Sequence, residues 1–226
     1  NIFFREIKKI FTQKNLFHHR IRTNDFYNLR FSKYLSKEGY VPNLNGCHMV
    51  INLKDKNYDE VISNFTKKRR WAIRKAMDNK DLEVEEIKYD QKSLRDFYNH
   101  YARAFNYRHK SKPYPFTFFK EMFLHFPNSL RIFTAKYNGK VAGSFFHIIS
   151  DKESTVYHYF NTVYPKFYNL NVVELLHDYS IRWCLNNCYE RYDLGGTGSN
   201  FKEGNFRFKS QFTVALPYLV WEKGKL

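Results

Sequence analysis

The stretch "LRIFTAKYNGKVAGSFFHIISDKESTVYHYFNTV", residues 130–163, constrains the fold more than any other part of the chain. Asn138 and Gly139 stand between two apolar runs. A two-residue hairpin turn needs positive φ at both central positions, which Asn and Gly tolerate. The polar Asp-Lys-Glu turn at 151–153 then leads into a third run. This pattern predicts three consecutive antiparallel strands.

The flanks fill out the order of elements. Upstream, the apolar run "CHMVINL" within residues 45–53 predicts a strand that opens the main domain. The following "YDEVISNFTKKRRWAIRKAMDN" carries Val61, Ile62, Phe65, Ala72, Ile73 and Met77 at helical spacing and reads as one helix. A strand over 82–88 and helices over 91–106 and 117–126 come next. Downstream of the meander the pattern gives a helix over 169–187, the strand "RYDLG", a glycine-rich stretch, a short helix over 206–211 and a last strand, "TVALPYLVWEK". Pro217 within that strand signals an edge or a bulge. Residues 1–40 read as two basic, aromatic helical stretches, with Thr23 and Asn24 capping the second. The expected class is α+β: a mixed, largely antiparallel sheet flanked by helices, residues 45–226, behind an N-terminal helical extension, residues 1–44.

Composition narrows the function classes. With 43% hydrophobic residues the 226-residue chain can bury a substantial core, which excludes a disordered tail. The formal net charge of +16 predicts attraction to polyanions such as RNA, nucleotide-linked substrates or anionic headgroups, although charge alone also serves solubility. No apolar run is long enough to span a bilayer, and "NIFFREIKKIF" has no small-residue cleavage site, so the expectation is a cytoplasmic protein with at most peripheral membrane contact. Cys47, Cys184 and Cys188 are too few and too irregularly spaced for a disulfide framework or a zinc knuckle and read as core thiols. Glu174 and His177 form a single Glu-x-x-His pair where a di-iron bundle needs two, so no metal is expected.

The chemistry centres on "RYDLGGTGSNFKEGNFRFKSQF", residues 191–212, which holds four of the chain's nine glycines within ten positions and then Phe206, Arg207, Phe208 and Lys209. Gly195, Gly196 and Gly198 are expected to let the chain turn sharply after Asp193 and bring amides close to a ligand. Arg207 and Lys209 are two apart, so they lie on different faces of a short helix. In the competing reading Phe206 and Phe208 are core and both cations are solvated. Along "TVYHYFNTV" the two-residue period puts Tyr157, Tyr159 and Asn161 on one face, as substrate contacts or as an aromatic core, and His158 on the other. Arg69, Arg70, Arg74 and Lys75 form the densest cationic group. Arg70 and Arg74, one turn apart, are candidate phosphate ligands, or else a solvated face paired with the acidic strand that follows. Trp71 beside them is either a base-stacking residue or core.

The element order is similar to the GCN5-related N-acyltransferase fold, whose sheet splays between its fourth and fifth strands. Within it, "KKRRWAIRKAMDNKDLEV", "YDLGGTGSN" and "GNFRFKSQF" resemble segments of the Fem-type aminoacyltransferases, which add amino acids from aminoacyl-tRNA to peptidoglycan precursors. The likeness covers residues 45–226. It implies transfer of an aminoacyl group to an amine of a cell-wall precursor, with Lys209 in the cleft as the catalytic cation. Residue pattern and likeness together make Arg70, Arg74, Lys75, Tyr157, Tyr159, Asn161, Lys166, Asp193, Gly195, Gly196 and Arg207 the candidate substrate-binding positions. Aminoacyl-tRNA is then the donor, an anionic glycan or peptide the acceptor, and no bound cofactor is required. Two departures qualify the likeness. Acetyl-CoA users place a glycine-containing turn before the long helix, whereas "YPKFYNLN" has no glycine, which disfavours a pyrophosphate grip. Fem enzymes also carry two such domains, so either a first domain precedes this chain or the chain forms a homodimer. The alternatives are an acetyl-CoA-dependent N-acetyltransferase and a non-catalytic module that binds RNA or an anionic glycan.

Overall fold

The computed structural model describes residues 2–13, 18–23, 32–43, 46–87, 90–108, 112–198, 200–217 and 219–224. In chain order the elements are α1 (Ile2–Gln13), β1 (His18–Thr23), α2 (Ser32–Lys37), β2 (Val41–Asn43), β3 (Gly46–Asn52), α3 (Tyr58–Ser63), α4 (Lys67–Met77), β4 (Leu82–Glu86), α5 (Gln91–Arg108), α6 (Phe116–His125), β5 (Leu130–Tyr137), β6 (Lys140–Ser150), β7 (Thr155–Asn161), α7 (Val172–Asn186), β8 (Arg191–Gly198), α8 (Gly204–Lys209), β9 (Ala215–Pro217) and β10 (Leu219–Gly224). They include a three-stranded antiparallel sheet and a mixed, mostly antiparallel seven-stranded sheet, with flanking helices. The chain divides into two compact units. The larger comprises Met49–Gly195 and Phe208–Val214; the smaller comprises Asn1–His48, Gly196–Arg207 and Ala215–Leu226.

In the smaller unit β10 lies between β1 and β2 and pairs antiparallel with both. The two helical stretches expected over residues 1–40 are present as α1 and α2, but a strand not expected from the sequence lies between them. His18–Thr23 is a strand, in which Ile21 and Thr23 are β-branched and pair with Trp221 and Leu219. Thr23 therefore ends a strand, and its expected capping partner Asn24 lies outside the described residues. Leu35 and Tyr40 are buried here, with Ile21 packed against them. The expected single C-terminal strand is two, because Pro217, which lacks an amide donor, ends β9.

In the larger unit the strands lie in the order β4-β5-β6-β7-β8-β3. β4 to β7 are antiparallel neighbours, and β7 and β8 run parallel. The hairpin between β5 and β6 turns through Asn138 at φ 50° and Gly139 at φ 72°, as the sequence requires. Successive residues of β5 and β6 serve opposite layers. Phe133, Ala135 and Phe145 pack against Val172 and Leu176 of α7, while Ile132 and Phe146 pack against Leu94, Phe97 and Tyr101 of α5 and Phe119 and Phe123 of α6.

The helix expected over residues 58–79 is two helices. Asn57 caps α3 in a capping box with Glu60, whose amide donates to Asn57 Oδ1 at 3.0 Å while the Asn57 amide donates to Glu60 Oε2 at 2.7 Å. Thr66 starts α4 afresh, its Oγ1 accepting from the Arg69 amide at 3.4 Å. The intervening "SNFT" breaks the helix because Ser, Asn and Thr side chains compete for backbone groups at helix ends. The acidic strand after α4 pairs within the sheet. Glu85 meets Lys136 at 2.6 Å and Glu86 meets Arg131 at 3.1 Å, both on β5, so these carboxylates answer the cations of β5.

Gly143 of β6 is fixed by close approach. A Cβ there would lie 2.6 Å from Cγ2 of Val163 and closer still to its Cα. That approach exists because the chain beyond β7 stays against β6: the Thr162 amide donates to Ser144 O at 2.9 Å and the Tyr164 amide to Ala142 O at 3.1 Å. Gly143→Ala is expected to cost about 1–3 kcal/mol by overpacking. For a chain of this size that lowers the thermal midpoint by roughly 2–12 °C in a calorimetric scan.

Candidate active site

The site forms where β7 and β8 part. Their parallel register runs Thr155–Arg191, Val156–Tyr192 and Tyr157–Asp193 and ends there. Beyond it, as above, β7 follows β6. A bulge marks the same place: His147 faces His158 and Phe146 faces Phe160, leaving Tyr159 as the extra residue. The bulge corrects the expected strand face. Tyr157 pairs with Ile148 and Phe160 with Phe146 on the α5–α6 side, whereas His158 pairs with His147 and Asn161 with Phe145 on the α7 side. Tyr157 and Asn161 therefore point to opposite layers. The Tyr157 hydroxyl donates to the Glu153 carboxylate, Tyr159 is exposed, and Asn161 Oδ1 accepts from the Val163 amide at 2.8 Å.

β8 carries the facing edge. Asp193 is buried, and its Oδ1 accepts from the Gly195 amide at 2.7 Å, closing a tight turn of side chain on backbone. Gly195 has φ +83°, a conformation that L side chains rarely adopt. Gly196 and Gly198 take no positive φ, and β8 continues to Gly198, so of the three glycines Gly195 alone bends the backbone as the sequence suggested, and the strand runs on past it. Lys209, half-buried at the end of α8, brings its ammonium to 3.5 Å from where a Gly195 Cβ would stand. Asp193, Gly195 and Lys209 are thus brought together, with Tyr157 opposite Asp193 in the register. Arg207 and Gly196, by contrast, are exposed.

The remaining candidate cations are engaged elsewhere. The Arg70 guanidinium donates through Nη1 to the Ser63 and Phe65 carbonyls at 2.8 and 2.6 Å, closing the C-terminal end of α3. Arg74 is exposed, and its Nε reaches the Arg70 carbonyl at 3.4 Å. Lys75 lies over the ring of Trp71, 5.0 Å from the centroid, and Trp71 is 54% exposed, which rules out a core role. Lys166 lies 4.8 Å from the Phe167 ring on the 3-10 turn Pro165–Leu170.

Sequence reasoning missed a cluster of three histidines behind the site. His158 and His177 have ring centroids 5.0 Å apart, and His147 and His158 5.7 Å. Ser180 Oγ donates to the Leu176 carbonyl at 2.7 Å, so it accepts from His147 Nε2 at 3.2 Å. The Tyr192 hydroxyl lies 3.0 Å from His177 Nδ1 and 3.3 Å from His147 Nε2, bridging the two rings. Burial holds all three imidazoles neutral. His158 is pushed down to about 3 by burial and by the nearby Lys209 charge, and His147 and His177 fall well below their ordinary value. As a residue His158 is only half-buried, but its Nε2 is sealed and has no hydrogen-bond partner among the described residues. Each histidine stands inside an apolar run, "FFHII", "VYHYF" and "LLHDY", which is the signal that marks it as core. Among the described residues no group of three His, Cys, Asp or Glu is placed to hold a metal ion.

An ammonium beside a glycine backbone at the end of a split sheet suits one class of reaction. An amine adding to a carbonyl builds charge on the carbonyl oxygen, and a fixed cation lowers that barrier. The buried Cys184 thiol is pushed well up by burial and is a poor nucleophile.

The sequence profile of the family described as "Acetyltransferase (GNAT) domain" matches residues 63–210. The chain belongs to this family and is an acyltransferase. Among solved structures it is similar to FemX, with a TM-score of 0.75 at 12% identity over 100% of this chain and 76% of that one. The C-terminal domain of a protein assigned as a lysylphosphatidylglycerol synthetase from Agrobacterium fabrum superposes with a TM-score of 0.68 at 12% identity, over 91% and 67% of the two chains. L-PGS from Bacillus licheniformis gives 0.64 at 17% identity, over 96% and 71%. At these identities the likeness concerns the fold. No curated protein sequence matches the chain significantly.

Proposed function

We propose that the protein transfers an aminoacyl group from aminoacyl-tRNA to an amine of a cell-wall precursor or a similar anionic acceptor, acting in the cytoplasm, where charged tRNA is made. The acceptor amine attacks the ester carbonyl carbon. The tetrahedral oxyanion is held by the Lys209 ammonium, and the C–O ester bond then breaks as the tRNA hydroxyl leaves with the amine's proton. No bound cofactor takes part.

The observation that carries the choice of donor is the turn before α7. A coenzyme A pyrophosphate is gripped by successive amides at a helix N-terminus. Here the Phe167 amide already donates to the Tyr164 carbonyl at 2.9 Å and the Asn171 amide to the Tyr168 carbonyl at 3.1 Å. Phe167 and Leu170 of the same turn pack on the core. The acetyl-CoA reading is favoured by the family description alone.

The test is incubation of the protein with radiolabelled mixed aminoacyl-tRNA and muropeptide acceptors, with labelled acetyl-CoA as the parallel donor. Label is expected to pass from tRNA to acceptor and not from acetyl-CoA. Transfer from acetyl-CoA alone, or micromolar coenzyme A binding by calorimetry, reverses the assignment of the donor.

A further inference from the structure

Lys209 is the last residue of a six-residue helix, too short to hold an ammonium in place by itself. Its position over Gly195 has to be enforced from outside the helix. The side chain in place to do this is Arg69 of α4, which is 6% exposed although three of its neighbours in "KKRR" are on or near the surface.

Arg69 grips the segment on both sides of Lys209. Its guanidinium lies over the Phe208 ring at 4.3 Å and over the Phe212 ring at 5.5 Å. Its Nε donates to Gln211 Oε1 at 3.2 Å, and the amide of Thr66, one turn earlier, donates to the Gln211 carbonyl at 3.0 Å. The charge is matched by Glu174 of α7, which accepts from Nη1. Residues 208, 211 and 212 thus all meet Arg69, and the residue between them, Lys209, is directed at Gly195. We infer that Arg69, seated on Glu174, is a positioning residue that sets the Lys209 ammonium at the reacting carbonyl. The inference rests on the acyl-transfer role of Lys209.

The geometry demands the fork of a guanidinium. Lysine keeps the charge opposite Glu174 but cannot stack on two rings and bond Glu174 and Gln211 at once. Arg69→Lys is therefore expected to lower kcat about 10- to 100-fold with KM little changed. If Arg69 works through Lys209, the loss shrinks to under about threefold when Arg69→Lys is made in a Lys209→Ala background. A readout independent of turnover is trace labelling of amines with acetic anhydride, read peptide by peptide. Lys209 of the native protein should react several-fold more slowly than exposed Lys202, and Arg69→Lys should close that gap. Gln211→Leu, a turn substitution that leaves the buried ion pair intact, should give the same changes at roughly a third of the size and serves if Arg69→Lys does not fold. Equal losses in both backgrounds, or unaltered Lys209 labelling in the folded variants, overturn the inference. Should Lys209→Ala leave transfer intact, the role proposed for Lys209 fails, while the labelling still judges whether Arg69 holds it.

Discussion

Lys209→Ala lowers kcat for acyl transfer by about 10²- to 10³-fold, roughly 3–4 kcal/mol of transition-state stabilisation, the size expected for removing one preorganised oxyanion donor. The reason is positional. The ammonium stands over Gly195, at the point where β7 and β8 cease to pair. In the ground state the substrate carbonyl is neutral and gains little from the cation, so the loss falls on kcat more than on KM. Lys209→Arg should recover little of it, because a planar guanidinium needs more room than the approach to Gly195 allows. Gly195→Ala is a second probe of the same contact: its Cβ would stand 3.5 Å from the Lys209 ammonium and 3.6 Å from the His158 carbonyl, on a backbone at φ +83°. Steady-state transfer kinetics, with the thermal midpoint as a folding control, make the comparison. Full activity in a folded Lys209→Ala protein would remove this residue from the chemistry.

The parts of the fold that the sequence states openly are those in which a residue carries its own conformation. Asn138 and Gly139 both adopt the positive φ that their turn requires, and the meander follows from them. Asn57 and Thr66 cap as their side chains dictate, although the break between α3 and α4 was hidden by an apolar spacing that runs through both helices. Regular periods misled where the backbone departs from them. The two-residue alternation of β7 fails at the Tyr159 bulge, which no composition signal marks, so Asn161 lies on the side opposite Tyr157. For α4 the period was informative in a way that the charge run obscured: positions 69, 72, 73 and 76 share one face, and all four are buried, which puts Arg69 inside while Lys67, Lys68, Arg74 and Lys75 stay out. The meeting of Gly195 with Lys209 and the histidine cluster of β6, β7 and α7 join residues far apart in the chain. Pattern reading cannot produce such contacts, and Lys209 is a candidate through family resemblance alone.

The histidine cluster makes stability steeply dependent on pH on the acid side. His147, His158 and His177 are neutral in the native protein, held so by burial and, for His158 and His177, also by the positive charge of Lys209. In the unfolded chain each takes up a proton near pH 6.5. Below that pH the unfolded state binds more protons than the native state, so stability is lost as pH falls, from about 6.5 down toward the native value of about 3 for His158. Each group contributes about 1.4 kcal/mol per pH unit once well below 6.5. Three together therefore cost about 4 kcal/mol between pH 7 and 5.5 and roughly 6 kcal/mol by pH 5, against a total stability on the order of 5–15 kcal/mol for a folded protein. Urea unfolding at a series of pH values is expected to show this fall as a midpoint that drops from pH 7 to pH 5. His158→Phe, which keeps a ring against Phe145 where the imidazole now lies tilted with centroids 4.2 Å apart, removes one titrating site and should lower the slope by about a third. A stability unchanged between pH 7 and pH 5 would mean that these rings are protonated or hydrated in the native protein. Protonated rings would add their charge to that of Lys209 and Arg69, and the field where β7 and β8 part would have a different source.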